Sequence, residues 1–441
     1  MEKPISPSSS NHTRRSFLKS SSLAALGASV PSALLSQNSS RKSSKKLRVG
    51  IVGGRFGSNF WAFKLHPDCE VVAVSDLRPK RLAKMVEVFE CSKTYPSLEV
   101  MVKDPNIDAI AVFTGAPQHV DHVTKVMKHG KHVLSAVPAC TGSVEEGEKL
   151  LEVVKSTGLT YMMAETSYYR DFMMSTRDFY KKGLLGDLYY FESAYHHPGL
   201  KSLYYETGAD GADGDQWKKG QRTWRYGFPP GFYYTHNASY LVGLTDERMV
   251  EVSCTGWGDD DPIMKDNAYN NPFWNCYAQF KTDRGNTARI DVVWNSPVKA
   301  GHPTRWLGDM ASIETSGTGG KGLKTEIVRQ SRQKGNDDVG YEHGENAVEA
   351  YEQEAWYKKD LMPPELRVPS GHGGSHNFLV HEFVDSIVKG RRPAIDIYEA
   401  LAYTIPGLVA YQSALKGGER MKIPNFDWKG RGSRVEGKSE R

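Results

Sequence analysis

Leu47-Arg48-Val49-Gly50-Ile51-Val52-Gly53-Gly54-Arg55-Phe56-Gly57 is the stretch whose reading decides the fold. A run of β-branched residues ends in glycines and passes into a helix-compatible segment, which predicts strand, tight turn and helix. Glycine at such a turn lets the backbone approach a pyrophosphate, and the N-terminus of the helix offers unpaired N–H groups to the anion. The G-x-G-x-x-G spacing is one residue short, so the turn by itself is weak evidence. Gly53, Gly54, Arg55, Phe56 and Gly57 are the first candidate cofactor contacts.

The residues that follow strengthen this reading. A second strand over residues 70–75 ends at Asp76, 23 residues after Gly53. A carboxylate there can accept both ribose hydroxyls of an adenosine and repels a 2′-phosphate, favouring NAD; Arg78 close by keeps NADP open. The alternation continues with strands over residues 107–113, 131–135 and 159–163 and helices over residues 119–129 and 144–156. Apolar strands alternating with amphipathic helices predict a doubly wound parallel sheet. Ligands of such sheets sit at the carboxyl ends of the strands, here Gly53, Asp76, Thr114, Ser135 and Glu165.

Beyond residue 165 the pattern changes. Residues 249–257, 273–281 and 287–294 alternate as strands of an antiparallel sheet. Residues 317–340 are glycine-rich and charged and are expected to form a mobile hairpin or loop. Residues 378–388 and 398–415 read as amphipathic helices, separated by the stop Gly390-Arg391-Arg392-Pro393. The expected domains are residues 47–165 and 166–428, followed by a polar, disordered tail over residues 429–441.

Residues 1–46 stand apart. Thr13-Arg14-Arg15-Ser16-Phe17-Leu18-Lys19, followed by a weakly apolar stretch over residues 23–35, fits a twin-arginine export leader. That route carries folded proteins, so the expected partner is the twin-arginine machinery and the expected location is periplasmic or extracytoplasmic. The segment holds eight Lys or Arg and one acid, a net of +7 against +5 for the whole chain, which leaves the rest near −2. The mature part thus lacks the basic footprint of a nucleic-acid binder, and no apolar run reaches the ~20 residues of a membrane span. Five scattered cysteines without a C-x-x-C pair argue against a zinc site and a disulfide scaffold.

With Val49 to Gly57, Asp76, the turn from Thr114 to His119, and Gly130-Lys131-His132-Val133-Leu134, the chain resembles the Gfo/Idh/MocA oxidoreductases. The resemblance implies a Rossmann domain followed by an α/β domain with a large open, mostly antiparallel sheet flooring a sugar-sized site. It implies NAD as cofactor, a carbohydrate substrate, and homo-oligomers formed through the open sheet. It also places His119, Val137 and Pro138 beside the cofactor. Family dehydrogenases follow Gly-Lys-His-Val with Glu-Lys-Pro and use the lysine for proton transfer. Here the segment reads Ser135-Ala136-Val137-Pro138-Ala139, and Phe232 stands where the family has an aspartate four residues before its histidine, His236.

These departures are similar to one branch, the NAD-dependent glycosidases of the α-N-acetylgalactosaminidase type. The matching segments are Val137-Pro138-Ala139, Tyr233-Tyr234-Thr235-His236, Glu165 with Tyr169, Glu192-Ser193-Ala194-Tyr195-His196-His197, and His372-Gly373-Gly374. Asn237 and Pro198-Gly199 depart from that branch. The resemblance makes His236 and Tyr233 the proton-handling candidates, with Glu165 and Tyr195 as a further base and a substrate anchor. Trp224 and Arg225 can stack on and hydrogen-bond a sugar, and His372 joins them as a substrate candidate. Taken singly, any of these is as readily a core residue. No metal is assigned, because His376 and His381 are five apart and the turn Asp259-Asp260-Asp261 lacks the alternation of a calcium loop. Three readings remain: a sugar-directed NAD oxidoreductase without the usual lysine, a glycoside hydrolase or lyase that oxidises its sugar transiently, and a non-catalytic nucleotide- or sugar-binding protein.

Overall fold

Leu47–Val52 forms β1, and its Val49 and Ile51 are completely buried, as a strand covered on both faces requires. Around it lie β2 (Cys69–Ser75), β3 (Ala109–Val112), β4 (His132–Ser135) and β5 (Tyr161–Met163), in the order β2-β1-β3-β4-β5 and all parallel. The connecting helices are α1 (Gly54–Gly57), α2 (Pro79–Phe89), α3 (Leu98–Met101), α4 (His119–Lys128) and α5 (Val144–Thr157). Local chemistry sets the ends of α5. The Ser143 side chain accepts from the Glu146 N–H, Glu145 and Glu146 complement the dipole, and Gly158 closes the helix at φ +63°. This is the expected doubly wound sheet. Its strands are shorter than the apolar runs that mark them, since residues such as Ile107 and Phe113 are buried just beyond the ladder.

The computed structural model describes residues 46–197, 204–206, 220–297, 301–316, 324–329 and 347–426. The leader expectation over residues 1–45, Pro198-Gly199 and the tail expectation over residues 429–441 lie outside them.

The second sheet comprises β6 (Leu188–His196), β7 (Met249–Trp257), β8 (Asn275–Thr282), β9 (Thr287–Val293), β10 (Thr304–Gly308), β11 (Ala311–Ser316), β12 (Lys324–Arg329), β13 (Ala347–Tyr351) and β14 (Met421–Lys422). Its order is β13-β12-β11-β10-β6-β9-β8-β7-β14, antiparallel except for the β6–β9 pair. Of the hairpin or loop expected over residues 317–340, residues 324–329 form a strand antiparallel to β11, as a hairpin would, and the remainder lies outside the described residues. In that strand Thr325 and Ile327 alternate inward and pair with β11, so period-2 burial overrides the flanking glycines.

Among the described residues, four α-helices accompany this sheet: α6 (Asp171–Lys181), α7 (Thr235–Thr245), α8 (Ser375–Val388) and α9 (Ile397–Leu415). Trp306 of β10 is fully buried against Phe172, Phe191 and Tyr240, and its Nε1 donates to the Tyr240 carbonyl at 3.2 Å. The last two helices return to the parallel sheet. Met163 N donates to Ile395 O at 3.0 Å, and Ala139 N to Thr404 Oγ1 at 3.2 Å. A Cβ on Gly147 of α5 would lie 2.9 Å from Ile405, so the two helices meet at that glycine. On the other side, His376 of α8 stacks on Phe60 with ring centroids 4.7 Å apart. No helix among the described residues is long and apolar enough to cross a membrane.

Candidate active site

The turn after β1 leaves no room for a side chain. Gly53 sits at φ +95°, and a Cβ there would lie 2.2 Å from the Phe113 carbonyl oxygen. The Gly54 N–H at the start of α1 donates to Asp76 Oδ2 at 2.6 Å, while Asp76 Oδ1 accepts from the Arg78 N–H at 2.8 Å. The glycine turn and the acidic strand end therefore adjoin, as a nucleotide cradle needs: backbone donors at the helix start, and a carboxylate beside them for the ribose. Arg55 is exposed, and Phe56 lies edge-on to Phe60, Phe113, His372 and His376.

The next two turns are braced from behind. His119, predicted at the cofactor, is 1% exposed, with Nδ1 2.7 Å from the Pro138 carbonyl and Nε2 3.2 Å from the Thr114 carbonyl. It ties the turns after β3 and β4 together from the interior. Thr114 Oγ1 meets His122 Nδ1 at 2.8 Å, and Val137 is half-buried at a cis Val137–Pro138 peptide. Arg78, read as open to a 2′-phosphate, is instead buried in an ion pair with Glu206.

Beyond the end of β5, Glu165 is fully buried. Its Oε1 accepts from the Ser167 N–H at 2.8 Å and lies 2.7 Å from His236 Nδ1, at the start of α7. Burial pushes this carboxyl upward, but the His236 imidazole and the hydrogen bonds outweigh it and hold the group below its ordinary value. The one-turn helix Pro230–Tyr233 delivers Tyr233, and β6 delivers Tyr195. The Tyr195 ring lies parallel to Tyr233 at 5.9 Å and 5.0 Å from the His236 ring. Burial raises the Tyr195 phenol well above its ordinary value, so it stays protonated. The four predicted catalytic residues thus form one cluster, although Glu165 and His236 are 71 positions apart.

One member of the cluster escaped the sequence. His302 lies 4.7 Å from the Tyr195 ring, with Nε2 3.3 Å from an Arg170 nitrogen and Nδ1 3.3 Å from the Tyr240 hydroxyl. Its surroundings, Gly301 and Pro303, carry no motif, so only topology could reveal it. Of the substrate candidates, Trp224 packs on Gly115, where a Cβ would lie 3.1 Å from the indole, and Arg225 stacks over Trp224 at 4.0 Å. His372, exposed and at φ +55°, has Nδ1 2.9 Å from His376 Nε2. His381 points elsewhere, its Nδ1 3.1 Å from His66 Nε2.

The buried imidazoles make the fold acid-sensitive. Burial pushes both His119 and His376 down to about 4. A histidine depressed in the fold opposes proton uptake, so stability is whole above the unfolded value near 6.5 and falls as pH drops from there toward 4. His119 alone accounts for up to about 3 kcal/mol of this loss. Thermal melts between pH 7.5 and 4.5 should show a falling Tm, less steep in His119→Asn. Parallel slopes for the two proteins would remove His119 from the effect.

Comparison with known proteins places both halves of the chain in described families. Residues 47–165 match the family described as "Oxidoreductase family, NAD-binding Rossmann fold", and residues 168–433 match "Glycosyl hydrolase 109, C-terminal domain". A glycosyl hydrolase family 109 protein of Solibacter usitatus is 24% identical over 94% of this chain and 97% of its own length. An alpha-N-acetylgalactosaminidase of Bacteroides fragilis is 27% identical over 44% of this chain and 50% of its own. Among solved structures, a levoglucosan dehydrogenase in complex with NADH and L-sorbose superposes with a TM-score of 0.67 at 14% identity. It covers 87% of this chain and all of that one, a likeness of fold alone. The chain is therefore an enzyme that binds NAD on a Gfo/Idh/MocA Rossmann fold, and it belongs to glycosyl hydrolase family 109.

Proposed function

We propose that this enzyme cleaves a glycosidic bond by oxidising its sugar transiently and restoring it, with no net consumption of NAD. The observation that carries the reading is the buried Glu165–His236 pair in a chain that has Val137 where the related dehydrogenases keep a lysine. Bound NAD supplies the hydride acceptor and its return. An ionised Glu165 can only accept, so His236 Nδ1 donates to it and Nε2 is the nitrogen left to face the sugar. That nitrogen takes the proton of the sugar hydroxyl as hydride leaves carbon. The new ketone acidifies the neighbouring C–H; a base takes that proton, the freed electron pair forms a C=C bond as the glycosidic oxygen leaves with a proton, and water adds across that bond before reduction of the ketone reverses the first step. Protonated Tyr195 donates a hydrogen bond to an oxygen of the sugar, beside Tyr233, and Trp224 with Arg225 offers a stacking face and a cation. The leader pattern over residues 1–46 supports export with the cofactor already inside, where a redox-neutral cycle needs no free nucleotide pool.

The test is to incubate the purified protein with aryl glycosides in D2O, following free sugar, NADH absorbance and deuterium in the product. Glycoside cleavage with deuterium on the carbon beside the oxidised one, and no accumulating NADH, is expected. NADH rising in step with an oxidised sugar would make the enzyme a net dehydrogenase instead.

A further inference from the structure

Arg78 stands two residues beyond Asp76, on the strand end where a Rossmann sheet receives the adenosine ribose. An arginine there is the side chain that accommodates a 2′-phosphate. Its guanidinium, however, is committed to the Glu206 carboxylate, and the two residues are 7% and 4% exposed.

Glu206 comes from the other half of the chain and is held in place by backbone. Its N–H donates to Gln221 O at 2.7 Å, its carbonyl accepts from Gly220 N at 3.1 Å, and Thr223 N donates to Tyr204 O at 2.8 Å. Tyr204 anchors this short ribbon by stacking on Trp274, with centroids 6.1 Å apart. The same ribbon leads into Trp224 on Gly115, so it touches the sheet at two turns.

A buried guanidinium needs a counter-charge, because its desolvation is otherwise uncompensated. A 2′-phosphate could serve, but this chain supplies its own carboxylate. Asp76 and Glu206 thus bring two carboxylates to Arg78, one at its backbone N–H and one at its guanidinium. We propose that Glu206 is a specificity-determining residue for the dinucleotide. It keeps Arg78 neutralised and unavailable to a 2′-phosphate, so that NADP is rejected by Glu206 as well as by Asp76.

The experiment compares NADH and NADPH binding by the fluorescence of the reduced nicotinamide, on full-length protein from which nucleotide has been exchanged out. Wild type is expected to prefer NADH. E206Q should improve NADPH affinity relative to NADH by about tenfold or more, and R78M/E206Q, which lacks the guanidinium, should lose that gain. A purely structural ion pair would lower Tm without moving the NADH-to-NADPH ratio, and an unchanged ratio in folded E206Q overturns the proposal. Should E206Q fail to fold, the crystal structure of wild type with NAD decides. An intact Arg78–Glu206 pair supports the assignment, and Arg78 turned onto the ribose overturns it.

Discussion

His236→Ala should lower turnover by about 10²–10⁴-fold while the protein still carries its NAD. The expectation follows from where the residue sits. His236 Nδ1 is engaged by Glu165, and Glu165 is itself oriented by the Ser167 N–H, so the imidazole is fixed by a partner that is fixed in turn. Neither residue belongs to the glycine turn or to the Asp76 end of the sheet, where we place the nucleotide. Single-turnover rates, paired with the nucleotide released on denaturation, measure the two quantities separately. Glu165→Gln keeps the shape of the pair and removes its charge, so its loss should be smaller, and the acid limb of the kcat profile should move with it. A His236→Ala enzyme with kcat within a factor of ten of wild type would remove His236 from the chemistry.

Gly53→Ala should have the largest effect on the fold. The new Cβ would face the Phe113 carbonyl oxygen at 2.2 Å, in a backbone conformation at φ +95° that alanine rarely adopts. Strain and overpacking together cost roughly 3–5 kcal/mol, a fall in Tm of about 5 °C for a fold of this size. The displaced turn should also lose its nucleotide. Gly130→Ala is the control, since Gly130 lies at φ +74° with nothing within 4 Å of its added Cβ and so carries backbone strain alone. Equal Tm losses in the two variants would show that the approach to Phe113 does not constrain the turn.

The parallel sheet was legible because each of its strands is a short apolar run between amphipathic helices, and such runs announce themselves one at a time. The open sheet was legible in β7, β8 and β9, whose alternation is regular, and not in β12, where flanking glycines and charges mask a strand. The site divides in the same way. Glu165, Tyr195, Tyr233 and His236 could be named singly from the segments that carry them, but their meeting depends on β5, β6 and α7 converging, which no local pattern encodes. His302 and Glu206 stayed invisible for that reason. Arg78 was visible, but its meaning changed once the residue facing it was known.

The return of α8 and α9 onto the first sheet orders events in time. A ribosome that has made residues 47–165 has made every strand of the parallel sheet. It has not yet made Ile395, which receives the Met163 N–H, or Thr404, which receives the Ala139 N–H. Nor has it made Leu401 and Ile405, which close over Gly147. The growing chain therefore carries an apolar flank that stays uncovered until its final helices emerge, the kind of surface on which nascent chains aggregate or recruit chaperones. Completion of the nucleotide half waits for α9, and a polypeptide truncated ahead of α8 is expected to yield no stable free-standing NAD-binding module.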